Sequence, residues 1–449
     1  MSVSRKYFGT DGIRGRTGVT PITAEFALKL GWAVGQILAQ DGRGTVVIGK
    51  DTRISGYMLS AALESGFVAS GLDVYLLGPM PTPAIAYLTR SVGAQVGVVV
   101  SASHNPYYDN GIKFFSGEGK KFPDAIESKI ESLLSANMTT AEPHGIGRAK
   151  FLEDAAGRYI EFCKGTFLKS HDLKGIKIVV DCANGAAYHI APNVFSELGA
   201  DVTVIHNQPD GFNINHECGS IHPKSLQERV LQEKAEVGIA LDGDGDRVIF
   251  VDHKGEVVDG DELLYIIACS YHERGILNGG VVGTQMSNLG LERAFEQMHI
   301  PFTRTNVGDK YVMDALVQTG WQLGGEGSGH LICLDKTTTG DGIVSALQVL
   351  AHMCHTNKTL HELKKGMVKC EQVLLNVPVT NGAQVVKAPS VQEIVSKLQK
   401  ELHSKLRILL RPSGTEPLVR VMVEGEDKTL IEQTAQQIAD VVKKAAHVA

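Results

Sequence analysis

Four stretches of the chain combine residue types that bind or move phosphate, metal or sugar. The first is Ser101-Ala102-Ser103-His104-Asn105-Pro106, which follows an apolar, β-branched run ending at Val100. Proline biases the residue before it away from helix, so this is a stiff loop. Loops beyond the carboxyl ends of strands in α/β sheets are common ligand sites. A serine there becomes a nucleophile only with help from a base or a metal, and His104 is adjacent to Ser103. Taken alone, the stretch reads more simply as a turn with a capping serine.

The second is Asp242-Gly243-Asp244-Gly245-Asp246-Arg247, between the apolar runs Val237–Leu241 and Val248–Val251. Carboxylates at alternate positions in a tight turn converge on one hard cation, and glycines let the backbone fold around it. Without a positive charge among them the three would repel. An EF-hand requires glycine at loop position six and glutamate at twelve; here those positions are Arg247 and His253, flanked by strands. Mg2+ keeps positions open for a phosphate oxygen, and it would neutralise charge on a transferring phosphoryl group. Three carboxylates exceed the one or two that Mg2+ often takes.

The third is Gly324-Gly325-Glu326-Gly327-Ser328-Gly329-His330. Its glycines admit a close ligand, and Glu326 and Ser328 suit sugar hydroxyls. The fourth is Arg411-Pro412-Ser413-Gly414-Thr415-Glu416. There a planar guanidinium, two hydroxyls and free backbone N–H groups make an anion loop. Arg14 in Gly12-Ile13-Arg14-Gly15 and Lys113 in Gly111-Ile112-Lys113 are cations near glycines and could reach a phosphate; read alone, each is more simply a surface charge.

The elements that must position these loops alternate. Thr45–Ile48, Asp73–Leu77 and Gln95–Val100 read as strands, with helices over Tyr57–Ser70 and Pro83–Arg90. Near-continuous apolar strands suit a sheet covered on both faces, and the alternation predicts α/β architecture with largely parallel strands. The beat restarts at Ile176–Asp181 and again at Leu263–Glu273. After Gly366 the order changes to a small α+β unit with strands Val373–Val379, Arg407–Leu410 and Val419–Glu424 and helices Val391–Leu402 and Leu430–Ala446. Leu134–Arg148, rich in turn formers, reads as a linker. The predicted domains are residues 1–150, 151–253, 254–367 and 368–449, carrying the four loops in that order.

Composition narrows the class. The 449 residues are 43% hydrophobic and 21% charged, ordinary globular values. A net charge of −6 argues against a general nucleic-acid binder. The seven cysteines are scattered without a C-x-x-C pair, as expected of reduced thiols in the cytosol. No signal peptide or run long enough to span a membrane is visible, so the expected location is cytoplasmic.

In this order the four loops resemble those of the α-D-phosphohexomutase superfamily, over essentially the whole chain. YFGTDGIRG (Tyr7–Gly15), SASHNPYYDNGIKFF (Ser101–Phe115), DKTTTGDG (Asp335–Gly342) and RPSGTEPLVRVMVEG (Arg411–Gly425) carry the likeness. It implies three similar α/β domains with mixed, largely parallel sheets and a smaller C-terminal α+β domain around a central cleft. It also implies that Ser103, not Ser101, is a phosphoserine. Asp242, Asp244 and Asp246 would hold one Mg2+ together with an oxygen on Ser103. Glu326 and Ser328 would contact the sugar, and Arg411, Ser413, Gly414 and Thr415 the distal phosphate. Arg14, His104, Lys113, Arg247 and His330 would surround the transferring phosphoryl group.

The implied reaction interconverts glucosamine 6-phosphate and glucosamine 1-phosphate through a 1,6-bisphosphate, feeding amino-sugar nucleotide and cell-wall precursor synthesis. The implied partner is a small hexosamine phosphate, with neither nucleic acid nor membrane, and a homodimer is left open. Mannose or glucose phosphate as substrate, and non-catalytic sugar-phosphate binding, are the alternatives. Two positions depart from the pattern: Gly327, where relatives often carry a larger polar residue, and Lys310, where close relatives place arginine. Both are expected to adjust substrate contacts.

Overall fold

Three of the apolar runs near the start lie side by side in parallel. In the computed structural model, which describes residues 5–38, 44–402, 405–412 and 417–446, Asp73–Pro79, Thr45–Lys50 and Val96–Val100 are consecutive neighbours. Every residue from Val46 to Lys50 is buried, because the helices Ser55–Ala69 and Thr82–Ser91 both pack against this strand. Burial on both faces is what removes alternation from such strands. The complete sheet has six strands in the order Ile13–Arg16, Asp109–Ser116, Val96–Val100, Thr45–Lys50, Asp73–Pro79, Ala149–Phe151. The first two strands are antiparallel additions. They are absent from the sequence reading because both are glycine-containing and polar-interrupted. The predicted linker is irregular apart from a short 3-10 turn at Pro143–Gly145. It returns the chain to the first sheet, where Ala149–Phe151 pairs with Asp73–Pro79.

The second sheet runs Val257–Val258, Val248–Asp252, Val237–Leu241, Lys177–Asp181, Asp201–Ile205. Its last three strands are parallel, and Val237–Leu241 pairs antiparallel with Val248–Asp252. The carboxylate turn is therefore the tip of a hairpin. The third sheet runs Phe302–Thr305, Val281–Thr284, Leu323–Gly325, Leu331–Cys333. The glycine-rich loop Glu326–His330 joins its last two strands, which are antiparallel. The long helix Gly342–Thr356 is not marked by any apolar stripe, since it is buried from Gly342 through Met353.

The chain packs as two compact units. One holds the residues up to Thr284 with Thr303–Lys365; the other holds Gln285–Phe302 and the chain from Gly366 onward. In the second unit an antiparallel sheet, Glu371–Pro378, Leu418–Gly425, Leu406–Pro412, is covered by the helices Pro389–Leu402 and Lys428–Ala446. The helix Leu289–Gln297 belongs to this unit through Arg293, which pairs with Glu426, and the Leu289 N–H, which donates to Glu424. All seven cysteines are free thiols, and only Cys354 is not fully buried.

Candidate active site

Ser103 sits in the loop between Val96–Val100 and Asp109–Ser116, with φ of +53° and only 1% exposed. Its hydroxyl donates to Asp242 Oδ2 at 2.6 Å and lies 3.3 Å from His104 Nδ1. Loop and carboxylate turn are thus one site, built from the ends of two sheets. Gly243 is needed at the contact: a Cβ there would lie 2.6 Å from the Ser103 carbonyl oxygen and 2.7 Å from Asn215 Nδ2.

The carboxylates of Asp242, Asp244 and Asp246 are all buried and offer oxygens within 4.8 Å of one another. Burial, then the Asp246 and Asp244 charges, push the Asp242 carboxyl well above its ordinary range. Asp246 goes the other way: burial would raise it, but Lys113, His330 and Arg247 hold it low. Asp244 Oδ1 and Asp246 Oδ1 are buried with no hydrogen-bond partner among the described residues. An acceptor-only, partly orphaned, mutually repelling set fits a hard divalent cation such as Mg2+.

Cations frame the turn. Lys113 projects from Asp109–Ser116, and its Nζ lies 3.0 Å from Asp244 Oδ2, 3.0 Å from Asp11 Oδ2 and 3.6 Å from Asp246 Oδ2. Burial alone would lower this ammonium, yet Asp11, Asp244 and Asp246 raise it above the ordinary lysine value. Lys113 is a fixed charge. Arg14, on the neighbouring strand Ile13–Arg16, pairs with Asp11. The Arg247 N–H donates to Asp242 Oδ1 at 3.2 Å. Burial, Arg247 and Arg14 push His104 down to about 4, so it is neutral near pH 7.

The ion pairs close into a ring. From Lys113 it passes to Asp246, to His330 at 3.7 Å, to Asp309 at 3.9 Å, to Lys121, to Asp11 and back to Lys113. Residues from three sheets or their loops meet there. His330 is seated by Gly340, where a Cβ would lie 2.3 Å from its Nε2. Burial would lower this imidazole, but Asp246, Asp309 and Glu326 raise it. Glu326 is buried and accepts the Gly308 N–H at 2.9 Å, while Ser328 is exposed at the loop tip.

The two departures behave differently. Gly327 accepts the Gly260 N–H through its carbonyl, and a Cβ would come within 3.2 Å of Asp261 Oδ2. Lys310 pairs with Asp124. In the second unit Arg411 lies on Leu406–Pro412 directly opposite Arg420. Burial and then Arg420 lower its guanidinium. Ser413, Gly414 and Thr415 lie outside the described residues.

Several residues absent from the sequence reading belong to the site. Thr82 gives its N–H to the Asp244 carbonyl and its hydroxyl to Asp244 Oδ2 at 2.7 Å. Asp11, Lys121 and Asp309 complete the ring. Ser101 is structural support: its Oγ accepts the Ser103 N–H at 2.9 Å and donates to Asp51 Oδ2 at 2.6 Å. Asp11 lies inside the quoted YFGTDGIRG stretch and could have been flagged from it; the others carry no local signal.

The chain is similar to known proteins in sequence and in fold. Family models for phosphoglucomutase/phosphomannomutase alpha/beta/alpha domains I, II and III match residues 5–141, 157–255 and 259–370. That for the C-terminal domain matches residues 374–441. The chain is 58% identical over 442 residues to a phosphoglucosamine mutase of Photorhabdus laumondii, covering 98% of this chain and 99% of that protein. It is 58% identical over 439 residues to one of Proteus mirabilis, with the same coverage. A crystal structure of a phosphoglucomutase/phosphomannomutase family protein from Burkholderia thailandensis superposes with a TM-score of 0.81 at 25% identity, covering 99% of this chain and 98% of that one. The fold is also that of an Aspergillus fumigatus N-acetylphosphoglucosamine mutase in complex with GlcNAc-6P and magnesium. There the TM-score is 0.69 at 20% identity, with 99% and 96% covered.

Proposed function

The chain belongs to the phosphoglucomutase/phosphomannomutase family, and on that premise we propose that it catalyses the phosphoglucosamine mutase reaction, interconverting glucosamine 6-phosphate and glucosamine 1-phosphate. It is an isomerase that works by phosphoryl transfer. The observation that carries the site assignment is the set of orphaned buried atoms around Ser103. Acceptors on Asp244 and Asp246 face one need, and donors on Arg14, Arg247 and His330 face the opposite one. A cation and an anion together satisfy both.

In the forward direction the phosphoryl group on Ser103 Oγ passes to O1 of glucosamine 6-phosphate. The Oγ–P bond breaks, the O1–P bond forms, the O1 proton leaves, and Oγ takes one up. The resulting 1,6-bisphosphate turns over, and its 6-phosphoryl group returns to Oγ as O6 recovers a proton. Asp242, Asp244 and Asp246 would hold a Mg2+ ion together with Ser103, and that ion would supply charge neutralisation to the moving group.

The rest is this chain's own work. Neutral His104, with Nδ1 3.3 Å from Oγ, exchanges the hydroxyl proton. Lys113 stays charged, so it stabilises rather than accepts. Arg14, Arg247 and His330 bind the reacting phosphate. Glu326 and Ser328 hold the sugar, and Arg411 with the Ser413–Thr415 loop holds the other phosphate. Positioning and electrostatics are the main demands of phosphoryl transfer. No helix among the described residues is long and apolar enough to cross a membrane; the cytoplasm is the proposed place of work, with a homodimer left open.

Intact-protein mass measurement and peptide mapping test this directly: one phosphate is expected, on the Ser103 peptide. Turnover should be fastest with glucosamine phosphates and near zero in Ser103→Ala. A clear preference for mannose or glucose phosphate would replace the substrate, and an active Ser103→Ala would overturn the mechanism.

A further inference from the structure

We propose that Arg53 is a positioning residue that sets Ser103 for phosphoryl transfer. It is fully buried, at 0% exposure. An arginine side chain carries five N–H donors in a planar fork, and here every one is used. Nε donates to Asp51 Oδ2 at 2.7 Å. One terminal nitrogen donates to the carbonyls of Pro106 and, at 3.1 Å, Asp109. The other donates to the carbonyls of Ser103 and Asn105, both at 2.8 Å. Four of the five acceptors are main-chain oxygens of the loop that carries Ser103 and of Asp109, where the next strand begins.

That loop needs holding. Ser103 has a φ of +53°, a region a non-glycine residue occupies only where its surroundings over-determine it. The surroundings do so from both sides. The Ser103 carbonyl accepts from Arg53 and from Asn215 Nδ2 at 2.9 Å. The Ser103 N–H donates to Ser101 Oγ, which itself donates to Asp51, the carboxylate that orients Arg53. With both flanking peptide groups held, Oγ is aimed at Asp242.

The segment around Arg53 also ties this loop to the second sheet. Thr52 Oγ1 donates to the Asn184 carbonyl at 2.6 Å, and the Ile54 N–H donates to the Gly211 carbonyl at 2.9 Å. The backbone around Arg53 is thus anchored to loops of the sheet that also carries the carboxylate turn, and the guanidinium passes that reference to Ser103. A lysine, with three donors and no plane, cannot satisfy the same four carbonyls.

The test compares Arg53→Lys and Arg53→Ala with the parent enzyme. Displacements of about 1 Å at a reacting group cost on the order of 10²-fold. Both variants should therefore lose roughly 10²-fold in kcat while KM for glucosamine 6-phosphate moves by less than about 3-fold. Phosphorylation of Ser103 by a hexose 1,6-bisphosphate, followed by mass measurement, should slow in parallel. Added guanidinium should restore part of the Arg53→Ala rate, and methylammonium should not. A purely structural role predicts otherwise: loss of folded protein, unchanged kcat per folded molecule and no selective rescue, and that result would overturn the proposal. If Arg53→Ala does not fold, Arg53→Lys decides by the same kcat and phosphorylation readouts. The inference rests on Ser103 carrying the phosphoryl group. An active Ser103→Ala would remove that basis, whereas a normally phosphorylated, fully active Arg53→Lys would sink only the positioning role.

Discussion

Lys113 Nζ lies 3.0 Å from Oδ2 of Asp244, so the carboxylate turn has a resident cation on one flank. The same ammonium reaches Asp11 and Asp246. Replacing it by methionine keeps much of the side-chain volume and leaves two buried carboxylates, Asp244 and Asp246, and half-buried Asp11 short of a partner. Removing one member of a buried ion pair costs about 3–5 kcal/mol. Lys113→Met is expected to show a loss of that order in urea unfolding with chelator present, a smaller loss in excess Mg2+, and severely reduced turnover. Equal losses in the two conditions would show that metal and lysine do not share the turn.

Mutual repulsion among Asp242, Asp244 and Asp246 predicts a metal-dependent melting temperature. A ligand at one hundred times its Kd adds about 2.7 kcal/mol, so Mg2+ should raise the first thermal transition of the parent. Asp242→Asn keeps an oxygen for the Arg247 N–H, can donate its amide N–H to the Ser103 hydroxyl, and removes one charge. It should melt higher than the parent in chelator and gain much less from Mg2+. Scanning calorimetry with and without the ion distinguishes this from a general salt effect.

Asp341 supplies a pH dependence. It caps the helix Gly342–Thr356 by accepting from the N–H groups of Ile343 and Val344, and it accepts the Tyr159 hydroxyl at 2.7 Å. Burial, outweighing those hydrogen bonds, pushes its carboxyl from 3.8 up to about 6. A carboxyl whose folded value is raised gives its full stability below the unfolded value and loses it as pH rises through the folded value. The fold should therefore lose about 2 kcal/mol from this group between pH 4 and pH 7. Asp341→Asn keeps a good cap and should flatten that slope in denaturant titrations across this range. An unchanged slope would assign the pH dependence elsewhere.

Gly340 tests whether the ring around His330 matters to catalysis. A Cβ at this position would lie 2.3, 2.4 and 2.7 Å from three atoms of the imidazole, so His330 must move away from Asp246 and Asp309. Gly340→Ala is expected to fold and to lose more than about 10-fold in kcat/KM. Steady-state kinetics with glucosamine 6-phosphate, beside circular dichroism, would check both halves.

Much of the architecture was legible in the residues. The strands Val237–Leu241 and Val281–Thr284 fall where their apolar runs end. A run such as Val96–Val100 is apolar because both faces of its sheet are covered, and that constraint leaves its trace locally. Ile13–Arg16 and Asp109–Ser116 left no such trace. They are added antiparallel to the sheet by long-range pairing, with Ile13 opposite Ile112.

The four loops were readable for a related reason. A nucleophile, a metal turn, a sugar loop and a phosphate loop each need several chemical groups within a few residues, so composition and spacing alone set out what each loop can do. What the chain order could not state is which groups would share a volume. Ser103 and Asp242 are 139 residues apart and 2.6 Å from contact to contact atom. Arg53 reads in the sequence as one more cation before a helix; only folding surrounds it with four loop carbonyls. Lys113 reads as a cation near glycines or a surface charge, and becomes a fixed cation because folding brings Asp11, Asp244 and Asp246 around it. The sequence by itself determined the reactive groups and the strands and helices that bear them, since those depend on neighbours along the chain. The tertiary structure decided their charges, partners and aim, since those depend on neighbours in space.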